Sequence, residues 1–193
     1  MDPNLLKCNV MLLGGETSLR EEIMQELNDT KPTFVSTVGI TEIYKIVTVN
    51  DQQVKLCVWN SAGQDRFKTL PNNLFKNMNV SVLVYDSSRK ESIYELETLI
   101  EEIKGKACEE TIIFVVGNQT EEREEISQIE GEQFAFERGV VPFRIISRLH
   151  QGINELLVLI AELYIKQRNK YQEMQTALNE YKRKRKKEKC SRQ

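Results

Sequence analysis

The stretch LLGGETSLREEI, from Leu12 to Ile23, carries the parts of a phosphate site in the right order: an apolar run, glycines, two hydroxyls and a helix-like segment. A loop of the form GxxxxGK[ST] works by wrapping backbone N–H groups around a phosphate. Its lysine reaches the outer oxygens and its hydroxyl meets Mg²⁺. Here Gly14 and Gly15 align with the two glycines with nothing between them, Glu16 stands at the lysine position, and Thr17 keeps the hydroxyl. A unit charge pair at ~4 Å and an effective dielectric near 20 is worth on the order of 4 kcal/mol, so exchanging lysine for glutamate turns attraction into repulsion of comparable size. Two readings stand: the remnant of a phosphate loop, or a tight strand-to-helix turn with Thr17 or Ser18 as helix cap. The remaining residue types offer no competing chemistry. His150 is the single histidine, with no matched nucleophile or second ligand beside it, and Cys8, Cys57, Cys108 and Cys190 follow neither metal-ligand nor disulfide spacing.

The elements that must position this loop are read from periodicity. Short buried-type runs near Lys7–Leu13, Ile40–Val49, Val54–Trp59, Val80–Tyr85, Thr111–Val116 and Val141–Ile146 read as strands. They alternate with helical patterns near Ser18–Asn28, Thr69–Lys76, Glu91–Lys104, Ile126–Arg138 and from Ile153 onward. Alternation of this kind predicts an α/β fold around a mostly parallel sheet. The polar turn Asn50-Asp51-Gln52-Gln53 predicts an antiparallel hairpin between the second and third strands. In such sheets ligands bind beyond the carboxyl ends of the strands, so the loops there are where chemistry belongs.

Those loops contain TFVSTVGI, CVWNSAGQDRF, VVGNQTE and FRIISRLHQGIN. In order and spacing they resemble the guanine-nucleotide motifs of Ras-superfamily small GTPases, most closely the Rab branch. The likeness covers about residues 5–165, and WNSAGQDRF departs from the Rab pattern WDTAGQERF only by similar residues. It implies the small-GTPase fold, a P-loop NTPase-like architecture: a six-stranded mostly parallel sheet with one antiparallel edge hairpin, about five helices and an extended C-terminal helix. It implies GTP or GDP with Mg²⁺ as cofactors, and a role in vesicle or membrane trafficking.

Carried over residue by residue, the resemblance gives Gly14, Gly15 and Thr17 to the phosphates, and Thr17, Thr37 and Asn60 to Mg²⁺. Gly63 and Gln64 fall in the second switch, where Gln64 matches the glutamine that orients the attacking water. Asn60 keeps an acceptor oxygen but lacks the charge of the family's aspartate. Asn118, Gln119 and Glu121 stand for the family's NKxD, and Ser147 and Arg148 for its SAK element. Phe34, Trp59 and Phe67 match aromatics of the effector-facing surface, where effector or regulatory proteins bind; simple packing beneath a loop is the alternative. The phosphate grip is thus damaged more than the base pocket. One reading is a Rab-like pseudo-GTPase that works by partner recognition; the other is a divergent GTPase that binds GTP through a short loop and hydrolyses it with Gln64.

Beyond residue 165 the sequence changes character, and residues 166–193 read as an extended helix and basic tail. Apolar or aromatic positions follow a heptad spacing through Ile153, Leu157, Ile160 and Tyr164, then Gln167, Tyr171, Met174, Leu178 and Tyr181. The Tyr171–Tyr181 part projects from the domain, either to meet a partner helix or as a solvated helix. Residues 182–193 hold 8 Lys/Arg and 1 acid, leaving 19 Lys/Arg and 28 acids in residues 1–181. An acidic body argues against nucleic acid as its main partner, while the basic tail suits an anionic membrane. Cys190 sits where prenylation is read, although Arg192 replaces the usual aliphatic residue; a nuclear-localisation-like or solubilising tail is the alternative. No run approaches the roughly 20 apolar residues that span a bilayer, and the unpaired cysteines suit a reducing interior. The expected location is cytoplasm or the cytosolic face of a membrane.

Overall fold

The apolar runs form strands buried on both faces, as expected where helices cover both sides of a parallel sheet. A computed structural model describes residues 5–14, 17–27, 33–35, 40–61, 75–121, 123–146, 149 and 151–190. The strands are β1 Leu6–Leu13, β2 Thr33–Val35, β3 Ile40–Val49, β4 Gln52–Ser61, β5 Val80–Asp86, β6 Ile112–Asn118 and β7 Val141–Ile145. Their order across the sheet is β2-β3-β4-β1-β5-β6-β7. Strands β4, β1, β5, β6 and β7 run parallel, and β3 pairs antiparallel with both β4 and β2. The expected mixed sheet is therefore present, with the three-residue β2 extending its edge to seven strands.

The β3–β4 connection is tighter than the four polar residues suggest. Gln52 already pairs with Val49, so only Asn50 and Asp51 turn the chain, at φ 47° and 64°. Two consecutive left-handed residues match the twist of the flanking strands, and Asn and Asp tolerate that conformation.

Four helices lie among the described residues: α1 Thr17–Glu26, α2 Lys90–Lys106, α3 Gln128–Glu137 and α4 Ile153–Cys190. The helix expected over Thr69–Lys76 falls largely outside them, although Phe75 and Lys76 are helical. Pleating divides the core in two. Cys8, Val10 and Leu12 of β1 join the cluster under α1 and α4, whereas Met11 and Leu13 join the cluster under α2 and α3. Helix α3 starts later than its apolar pattern, because Ser127 and Glu130 form a reciprocal capping box. Inside that helix Gly131 makes room for Tyr85, whose hydroxyl would stand 2.0 Å from an added Cβ.

Strand β1 lies between the branch leading to β4 and the branch leading to β5, so the chain changes direction across the sheet at its C-terminal end. Ligands of open α/β sheets bind at such a switch point. Gly14 occupies that position.

Candidate functional site

Only residues 14–16 connect the last residue of β1 to the first residue of α1. Gly14 is left-handed at φ 76°, and a Cβ on it would stand 2.7 Å from Leu96 Cδ2 and 2.8 Å from the Val84 carbonyl oxygen. Only glycine fits a turn this close to β5 and α2. Gly15 and Glu16 lie outside the described residues, and Thr17 is the first residue of α1, its side chain outside them.

Helix α1 brings a residue that the motifs passed over. Arg20 is 1% exposed. Its Nε donates to Asn60 Oδ1 at 3.0 Å, and its Nη1 donates to the carbonyl oxygen of Gly14. Burial pulls the guanidinium below its ordinary pKa, and Glu21 pulls it back up. The signal was present in the sequence. Arg20 occupies the i position of an i, i+3, i+4, i+7 stripe completed by the buried Ile23, Met24 and Leu27. A cation in a core stripe must be supplied with acceptors.

Asn60 is buried near the end of β4, beside Leu12 in the β1 register. Its side-chain oxygen, the acceptor assigned to Mg²⁺ by resemblance, receives a hydrogen bond from Arg20 instead. The described residues here do not fit a Mg²⁺–triphosphate. A connection of residues 14–16 is too short for a wrapped cradle, and the guanidinium takes Asn60 Oδ1 and the Gly14 carbonyl oxygen. Thr37, Gly63, Gln64 and Phe67 lie outside the described residues.

The loop after β6 is built differently. Asn118 is fully buried, and its carbonyl oxygen accepts from Ser87 N at 3.0 Å and Ser87 Oγ at 3.3 Å. The Gln119 backbone N–H donates to the Ile145 carbonyl at 3.0 Å, and its side-chain oxygen accepts from Arg144 Nη2 at 2.9 Å. Arg144 also pairs with Glu124. Thr120 Oγ1 donates to Asp86 Oδ1 at 3.0 Å, an acceptor shared with the backbone and hydroxyl of Ser88. Glu121 is exposed. Asn118, Gln119 and Glu121 are thus held on one loop, with Gln119 tied toward β7. Asp86 and Glu124, which help to hold it, lie outside the quoted motifs, and Arg144 lies inside FRIISRLHQGIN without any mark there of its bonds to Gln119 and Glu124. Ser147 and Arg148 lie outside the described residues, as does His150.

Of the aromatic residues, Trp59 is half-buried and packs against the cluster under α2 and α3. Among the described residues its buried indole N–H has no acceptor. Register places Phe34 in the row of Thr41 and Asn60, next to the row of Trp59 and not in it. Cys190 is the last residue of α4, its side chain outside the described residues. A family model described as Ras family matches residues 14–166.

Proposed function

We propose, because this chain belongs to the Ras family of small GTPases, that it is a Rab-like member acting in membrane trafficking as a pseudo-GTPase. Ras-family proteins in general bind GTP or GDP with Mg²⁺ and are read by effectors and regulators; this one keeps the surface and gives up the switch. The observation that carries the reading is the buried Arg20. Its hydrogen bonds to Asn60 and Gly14 join α1, β4 and β1 at the point where a nucleotide's phosphates and metal would otherwise join them. A ligand shifts a conformational equilibrium only by its differential affinity for the two states, so a site closed by its own arginine has little for nucleotide to shift. Partner recognition then rests, without dependence on nucleotide, on the surface that the resemblance assigns to Phe34, Trp59 and Phe67. The polybasic segment supplies attraction to anionic membrane.

The second reading is a divergent GTPase in which Arg20, the cation nearest the vestigial loop, serves the phosphate. Fluorescence of the single tryptophan, Trp59, next to Asn60 in sequence, separates the two. Titration with Mg²⁺–GTP and Mg²⁺–GDP should give no saturable change below about 1 mM, which is a binding free energy weaker than about −4 kcal/mol. Micromolar binding that Arg20→Ala abolishes would establish the second reading.

A further inference from the structure

We propose that the outer half of α4 is a docking site for an acidic amphipathic helix of a partner protein, used independently of the nucleotide site. Helix α4 divides into two parts by burial. Its first part packs Ile153, Leu156, Leu157, Ile160, Ala161 and Tyr164 into the core, and Tyr164 donates its hydroxyl to the Lys7 carbonyl at 2.8 Å. Beyond the Gln167 carboxamide, which donates to the Glu110 carbonyl, the helix continues to Cys190.

On that outer part Tyr171, Met174, Leu178 and Tyr181 are 47%, 59%, 42% and 57% exposed. Their alternating spacing of three and four residues is a heptad seam, and it is narrow. A helix that lies in a membrane interface needs a wide apolar face, whereas an a/d seam is the width that one partner helix covers. The seam therefore favours a helix over a lipid surface.

The flanks select the partner's charge. With Tyr171 and Leu178 at a and Met174 and Tyr181 at d, the e positions are Arg168, Gln175 and Lys182, and the g positions include Lys170 and Ala177. No acid lies beside the seam from 168 to 182. A second copy set parallel would face Lys170 with Gln175 and Ala177 with Lys182, and set antiparallel would bring Arg168 toward Lys182. Self-pairing gains no attraction in the first case and meets repulsion in the second, whereas glutamates at the e and g positions of a partner would pair with every cation present.

The test uses the full chain and a labelled synthetic peptide of about three heptads, with Leu at a and d and Glu at e and g. A second peptide carries Lys at e and g. The Glu peptide should bind at least tenfold more tightly than the Lys peptide. Met174→Asp and Leu178→Asp, at exposed positions, should each weaken it at least tenfold with an unchanged melting temperature. Equal affinity for both peptides would overturn the proposal. So would undiminished binding in the Asp variants, which would mean attraction to the basic tail alone. Sedimentation showing a dimer that the Asp variants dissolve would assign the seam to self-association. Transfer to phosphatidylserine vesicles that depends on Met174 and Leu178 would assign it to membrane.

Discussion

Arg20 ties α1 to Asn60 of β4 and to Gly14 at the end of β1, and its contribution can be measured without any ligand. Arg20→Met keeps the apolar stem and removes the donors to Asn60 Oδ1 and the Gly14 carbonyl. A buried polar group left unsatisfied costs about 1–3 kcal/mol, so urea unfolding should show a loss of ~2 kcal/mol or more. A loss below ~0.5 kcal/mol would mean that these bonds hold nothing together. Gly14→Ala should destabilise by a comparable amount, ~2 kcal/mol or more by the same measurement, because the left-handed backbone and the approach of Leu96 and Val84 are both incompatible with a Cβ. Burial, and then the neighbouring Cys57, raises the Cys8 thiol from 9.0 to about 12, and burial raises the Tyr85 hydroxyl from 10.0 to about 12. The folded chain keeps these protons at pH values where the unfolded chain has released them. Their contribution is therefore complete below about pH 9 and is lost as pH rises toward 12. Urea midpoints measured across that window should fall, and Cys8→Ala should flatten the part that begins near pH 9. That a short connection without a lysine joins β1 to α1 was legible in GGET. The arginine was legible only as a charge in an apolar helix stripe, because which acceptors receive it depends on the β1–β4 register.

Helix α4 is one continuous element that belongs to two parts of the molecule. The proposed division between residues 5–165 and 166–193 falls inside it, near the point where burial ends at Tyr164. Ending the chain after Arg168 keeps the bonds of Tyr164 and Gln167 and removes mostly exposed residues. Stability should stay within ~1 kcal/mol while helical circular dichroism falls, since exposed substitutions and deletions forfeit little burial. A loss of several kcal/mol would show that the outer half folds back on the body. The strand and helix order was readable because each run is long and periodic. The turn at Asn50–Asp51 was read as longer than it is, since Gln52 and Gln53 are polar yet pair in the ladder with Val49 and Thr48. The pairings of Asp86 with Thr120 and of Arg144 with Glu124 were not readable, because they join β5 and β7 to the segment after β6, which only the sheet order brings together.

At the scale of the whole molecule the charge is divided, with a body near −9 and a tail near +7 behind a net charge of −2. Basic residues near an anionic leaflet contribute ~1 kcal/mol each and are screened within about 10 Å at 0.1 M salt. Sedimentation with phosphatidylserine vesicles should therefore show binding that weakens steeply with salt, and replacing the basic residues of Lys182–Lys189 by Gln should abolish it. Salt-insensitive binding would point to an apolar anchor instead. Ras-family proteins in general bind GTP or GDP, and the closure by Arg20 proposed above is tested by whether this chain carries any. The most direct measurement is to denature the purified chain and quantify released guanine nucleotide by ion-exchange chromatography. Far less than one nucleotide per chain is expected, and a yield near one GDP or GTP per chain would show that the site is open to nucleotide.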